Sequence, residues 1–203
     1  MIVCLVSGRG SNLQALLDAG LPITAVFSNR RDAEGLEVAA RRGVATTVVE
    51  HNAFPTREGF DRALSGEIDR LSPRLVLLAG FMRVLTPSFV ERYRGRLLNI
   101  HPSLLPAFPG LDTHARALAA GVKLHGCTVH FVTPEVDHGP IVIQAAVQVR
   151  PEDTAETLAA RVLRQEHIIY PRAVRWFLDG KLVIDSGVVN VKGNDAQVVL
   201  ATD

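Results

Sequence analysis

The stretch LLNIHPSLLP, Leu97 to Pro106, places a carboxamide and an imidazole two residues apart at the end of an apolar run. If the run is a strand, its side chains alternate. Asn99 and His101 then share one face, and Ile100 takes the other. That pairing suits an oxyanion. The Asn99 amide can donate to a carbonyl oxygen as it gains charge, and the imidazole can supply a second hydrogen bond or a proton. Pro102 and Pro106 stiffen the turn that follows. On this stretch alone, the plainer role of two strand-end side chains capping backbone groups stays open.

Two further stretches could join that chemistry. In EVDHGP, Glu135 to Pro140, Asp137 lies in a tight loop between two expected strands. Near His101, its carboxylate would orient the imidazole and accept a proton through water. Asp-x-Gly is also ordinary turn chemistry. In SGRGSN, Ser7 to Asn12, two glycines free backbone N–H groups at a strand-to-helix turn, and Ser11 and Asn12 add side-chain hydrogen bonders. A helix N-terminus of that kind receives anions such as phosphate, although Ser11 as a simple N-cap would also account for part of it. The dinucleotide fingerprint fails at Leu13, and no Gly-Lys-Ser/Thr follows. His125, Cys127 and His130 in HGCTVH do not form a closed ligand set at zinc spacing, so no metal is expected. Cys4 reads as a buried structural thiol, and His51 and His114 as ordinary loop or helix residues.

The elements needed to position these residues follow from hydropathy. MIVCLVSG, ITAVFSN, VATTVVE, PRLVLLAGF and RLLNIHP read as strands. SNLQALLDAG, AEGLEVAARRG, TREGFDRALSGEIDRL and TPSFVERYRG read as the helices between them. Strict alternation predicts an α/β fold: a Rossmann-like open, mostly parallel twisted sheet with helices on both faces. After Pro106 comes a helix, THARALAAG, then an antiparallel pair, CTVHFVT and IVIQAAVQV. A long helical stretch interrupted by Pro171 and a small hairpin, KLVIDSGVVNV, complete an antiparallel C-terminal portion. GNDAQVVLATD has no clear assignment. No repeat or linker divides the chain, so a single domain is expected.

Composition excludes several roles. The chain has 203 residues, 47% hydrophobic and 21% charged, with a formal net charge of +1. That is globular composition with no basic stripe for nucleic acid. The apolar start has no basic n-region, and no apolar run reaches about 18 residues, so neither a signal peptide nor a membrane span is expected. Two cysteines give no disulfide framework and fit a reducing, cytoplasmic setting.

SGRGSN, LAGFMRVLTPSFV, LLNIHPSLLPAFPG, HGCTVHFVTPEVDHGP and QEHIIYP together resemble the phosphoribosylglycinamide formyltransferases, from the first strand to about residue 180. The resemblance implies transfer of formyl from 10-formyltetrahydrofolate, as cosubstrate, to the amine of glycinamide ribonucleotide in purine synthesis, by a monomer or homodimer. It implies Asn99, His101 and Asp137 as the reacting trio, with His130 and Ser103 supporting it. It assigns Gly10, Ser11, Asn12, Gln165 and Glu166 to the ribonucleotide. Arg57, Met82, Arg83, Val84, Leu85, Asn99, Thr133, Pro134, Glu135, Val136 and Asp137 would meet the folate. Residues 1–98 would form a nucleotide-binding half, 99–180 a catalytic and folate-binding half, and 181–203 a tail. Formyltetrahydrofolate deformylase, a hydrolase with the same trio, is the alternative. A non-catalytic nucleotide- or folate-binding module is the rival from another class.

Overall fold

Ile2–Val6 (β1) is apolar at every position, and all five residues are buried. A strand apolar on both faces belongs inside a parallel sheet covered by helices. In the computed structural model, which describes residues 1–201, β1 pairs in parallel with Ile23–Ser28 (β2) and with Leu75–Leu78 (β4). Ala45–Val48 (β3) extends the sheet beside β2, and Leu97–His101 (β5) extends it beside β4, both in parallel. The order is therefore β3-β2-β1-β4-β5. Helices Ser11–Asp18 (α1), Glu34–Arg41 (α2), Arg57–Asp69 (α3) and Pro87–Arg92 (α4) fill the crossovers, with a single 3-10 turn at His51–Ala53.

These elements form one of two compact units, Met1–Asn99 together with Val132–Pro134. Its core takes Val3 and Leu5 from β1, Phe60, Leu64 and Ile68 from α3, and Phe89 and Val90 from α4. Each such fully buried side chain contributes about 1.5–3 kcal/mol. Val6, of opposite parity, meets Gly35 of α2, so helices cover both faces of β1. Thr56 and Thr86 cap α3 and α4 by accepting the N–H groups of Gly59 and Phe89, and Pro87 opens α4 where a missing N–H is harmless.

The second unit comprises Ile100–Phe131 and the described residues from Glu135 onward. It contains Thr113–Ala119 (α5), an antiparallel pair, Leu124–Phe131 (β6) and Ile141–Gln148 (β7), and the helix Ala155–Leu178 (α6). Gly126 allows the close approach of β6 to β7: a Cβ there would stand 1.9 Å from the Ala145 carbonyl oxygen. Leu182–Asp185 (β8) and Val188–Val191 (β9) form the expected hairpin.

One expectation needs correction, and one unassigned stretch gains a structure. Pro171 does not interrupt the long helix; α6 runs unbroken for 24 residues. Pro171 lacks the N–H that would close on the His167 carbonyl, a loss of about 3 kcal/mol in an isolated helix. Ile169, Tyr170, Ala173, Val174 and Trp176 are buried around it, and their packing outweighs the loss. The unassigned end contains a strand, Val198–Leu200 (β10), which pairs in parallel with β7. Its three residues are too few to show periodicity.

Candidate active site

His101 ends β5 and is buried, and both its ring nitrogens face acceptors. Nδ1 lies 3.4 Å from Asp137 Oδ2, and Nε2 lies 3.1 Å from the Phe108 carbonyl oxygen. The same Oδ2 accepts the Gly110 N–H at 2.8 Å. Asp137 Oδ1 stands 3.8 Å from His130 Nε2, so the carboxylate sits between two imidazoles. His130 Nδ1 is 2.9 Å from the Phe131 carbonyl, and burial pushes its pKa down, which favours the neutral ring. Asn99, half-buried, precedes His101 by two positions on β5 and shares its strand face.

Three non-glycine residues at this end have left-handed backbones: Phe108 (φ 54°), Asp112 (φ 56°) and Asp137 (φ 55°). The conformation costs an L-residue about 1–2 kcal/mol. At Phe108 it accompanies a carbonyl aimed at His101, and at Asp137 a carboxylate aimed the same way.

The 102–108 loop is held by side chains because it has no ladder to bond to. Thr128 on β6 saturates its hydroxyl there. It donates to the Ser103 carbonyl at 2.6 Å and accepts from the Leu105 N–H at 3.1 Å and from Gln144 Nε2 at 2.9 Å. Gln144 also donates to the Leu105 carbonyl, and Thr113 donates to that of Pro102. Ser103, fully buried, donates to the Ala107 carbonyl and so braces the loop that follows His101.

His114 is more than an ordinary helix residue. Its Nδ1 is 3.2 Å from His125 Nε2, and the rings meet edge-on, as the Phe108 ring also does with His125. Burial, and then the neighbouring His114, push the His125 pKa down to about 4. Cys4 and Cys127 are buried, and burial raises both thiols, as inert cysteines require. Among the described residues no three His, Cys, Asp or Glu side chains gather as a metal ligand set.

In the first unit, Gly10 (φ 76°) occupies the N-cap of α1, and Ser11 is the first helical residue. Ser11 is therefore not the cap. No side chain caps this terminus, and no acid lies in its first turn to oppose the helix dipole. Gly10 also packs on α2: a Cβ there would stand 2.5 Å from Gly35 Cα.

The remaining expected residues divide by unit. Arg57 is exposed at the first position of α3, where the helix dipole disfavours a cation, and among the described residues it has no ion pair. Arg83 lays its guanidinium 5.6 Å from the centroid of Phe60, one helical turn from Arg57, and its buried Nε has no acceptor. Met82 and Val84 are exposed, whereas the Leu85 side chain belongs to the core and offers only backbone. Thr133 and Pro134 follow, half-buried and exposed. In the second unit, Glu135 and Val136 are exposed, Glu166 is buried on α6, and Gln165 Oε1 is buried with no donor.

Sequence reasoning missed Phe108, Gly110, Thr128 and Gln144, whose contributions run through backbone groups or distant partners. It also missed Ser7, Asn29 and Gly35 in the first unit. Only Gly35, a glycine inside a helical pattern, left a local signal.

Residues 1–174 match the formyl transferase family. The phosphoribosylglycinamide formyltransferase of Escherichia coli (strain K12) is 54% identical over 187 residues, covering 89% of this chain and 88% of its own. Glycinamide ribonucleotide transformylase 1 from Symbiobacterium toebii superposes with a TM-score of 0.91 at 48% identity, over 94% of this chain and 92% of that one. The phosphoribosylglycinamide formyltransferase of Coxiella burnetii gives 0.92 at 46% identity, over 98% and 97%. The α/β, mostly parallel architecture read from the alternating pattern is thus shared with solved enzymes. By the span of the family match and by these identities, the chain belongs to the formyl transferase family.

Proposed function

We propose that this enzyme transfers the formyl group of 10-formyltetrahydrofolate to the amine of glycinamide ribonucleotide, giving formylglycinamide ribonucleotide and tetrahydrofolate. The observation that carries the reading is the Asp137 carboxylate 3.4 Å from His101 Nδ1, beyond the strand that also carries Asn99. The names of its relatives support the same activity.

The amine nitrogen bonds to the formyl carbon, and the formyl oxygen gains charge. Asn99 donates to that oxygen, and His101 Nε2 does so by exchanging the Phe108 carbonyl for it. Asp137 holds His101 and takes the proton that the amine loses, directly or through water. The bond from the formyl carbon to N10 then breaks, and N10 takes a proton. The substrate amine is the nucleophile, so no protein nucleophile is needed. Gly10, Ser11 and Asn12 receive the ribonucleotide phosphate at the uncapped end of α1, and Gln165 and Glu166 receive its ribose. Arg57 and Arg83 suit an acidic tail on the folate. Met82, Val84, the Leu85 backbone and Thr133–Asp137 form its walls.

In this reading residues 1–98 are the nucleotide half, 99–180 the catalytic and folate half, and 181–203 a tail. The enzyme works in the cytoplasm as a monomer or homodimer without nucleic acid. Among the described residues no helix is long and apolar enough to cross a membrane. The hydrolytic alternative is disfavoured by the relatives' names and by the uncapped α1 terminus, which water as acceptor does not require. The test is folate absorbance with 10-formyltetrahydrofolate, with and without glycinamide ribonucleotide. Turnover only with the ribonucleotide is expected; equal turnover without it would make the protein a deformylase.

A further inference from the structure

Ser7 is buried at the end of β1, immediately before the glycine loop. Its N–H donates to the Gly80 carbonyl at 3.1 Å, its hydroxyl donates to Asn29 Oδ1 at 2.6 Å, and its oxygen accepts the Met82 N–H at 2.8 Å. A hydroxyl has one proton, and here Asn29 takes it, so a lone pair is fixed toward Met82. Asn29 is itself buried, with its Nδ2 3.2 Å from His51 Nδ1. The far end of the same segment is held by Asp61, whose Oδ2 accepts the Thr86 N–H at 2.6 Å.

The other side of the glycine loop is closed. Gly10 abuts Gly35, and the Gly35 N–H donates to the Gly8 carbonyl at 2.9 Å. The loop has no room to shift toward α2. An anion seated at Gly10–Asn12 would bear on a loop that begins at Ser7, whose oxygen holds the Met82 backbone.

We infer that Ser7 is a positioning residue that couples two binding sites: filling the anion site at the N-terminus of α1 sets the Met82 segment that meets the folate, and the reverse. The identities of the two ligands rest on the proposed function. Coupling of binding free energies is reciprocal, so each ligand tightens the other by the same factor.

The test uses the intact protein with glycinamide ribonucleotide and tetrahydrofolate, a pair that cannot react. Titration calorimetry measures each dissociation constant alone and with the other ligand saturating. In the parent, at least about fivefold mutual tightening is expected, within the usual range of such couplings. In Ser7→Ala the ratio falls to about one, while each ligand alone still binds. Asn29→Leu leaves the hydroxyl without its acceptor and lowers the ratio part of the way. Amide exchange supplies a second readout in the parent: ribonucleotide alone slows exchange at the Met82 N–H. A parent that binds both ligands without coupling overturns this inference alone, and so does full coupling retained in Ser7→Ala. A parent that binds neither ligand overturns the proposed function and this inference with it. If Ser7→Ala fails to fold, the Met82 exchange and the Asn29→Leu ratio decide.

Discussion

Asp137 Oδ2 stands 3.4 Å from His101 Nδ1 while accepting the Gly110 N–H at 2.8 Å. One oxygen thus orients the imidazole and pins the loop from which the Phe108 carbonyl reaches the opposite ring nitrogen. The carboxylate is nine-tenths buried, so little water competes for it.

Asp137→Asn keeps an oxygen for Gly110 and tolerates the left-handed backbone, but it removes the charge and the proton acceptor. Turnover should fall about 10²–10⁴-fold, the range of general acid–base contributions. Ribonucleotide affinity should change little. Single-turnover kinetics beside a ribonucleotide titration checks this; equal losses in both would assign Asp137 a structural role.

Thr128→Val removes a hydroxyl that satisfies three groups at once. The Leu105 N–H and Gln144 Nε2 lose an acceptor, and the Ser103 carbonyl loses a donor. Each buried unsatisfied group costs about 1–3 kcal/mol, so a loss of about 3 kcal/mol is expected. The urea midpoint should drop with the slope unchanged. A loss below about 1 kcal/mol would mean that water replaces the hydroxyl.

Gly10→Ala places a methyl 2.5 Å from Gly35 Cα on a backbone at φ 76°. Both the clash and the left-handed strain oppose it, and the strain alone costs about 1–2 kcal/mol. The melting temperature and ribonucleotide affinity should fall together. Retained affinity in a destabilised variant would move the phosphate away from this turn.

Acid should destabilise the fold through its histidines. In the folded state burial pushes His125 down to about 4, and it also lowers His114 and His130. The unfolded chain takes up protons near the ordinary imidazole value of about 6.5. Between those values the unfolded state binds more protons, so stability rises with pH there. The contribution is complete above about pH 6.5 and is lost as pH falls toward 4. Denaturation midpoints across that range should show it. His125→Gln, which keeps a donor for His114, should flatten the slope, and an unchanged slope would remove His125 from the account.

The parallel half of the fold was legible because hydrophobic runs and helical stripes are local signals. The spacing of Phe60, Leu64 and Ile68 shows which face of α3 is buried before any partner is known. Asn99 and His101 were legible because strand alternation fixes their common face. Other features had no local signature. Ser7 and Asn29 lie 22 residues apart, and nothing near either names the other. Phe108 contributes a carbonyl, which every residue has, in a backbone conformation its bulk would argue against. Pro171 misled because tertiary packing overrode its propensity.

The left-handed backbones of Phe108, Asp112 and Asp137 bear on how this protein would respond to selection. Glycine adopts that conformation without penalty, so selection for thermal tolerance alone should favour glycine at all three positions. At Asp112 the exchange would leave the imidazole cluster untouched. At Asp137 it would remove the carboxylate, and at Phe108 the ring packed against His125. Laboratory evolution for heat resistance should therefore divide these sites. Asp112 should change freely, whereas the other two should retain strained residues wherever turnover is selected as well.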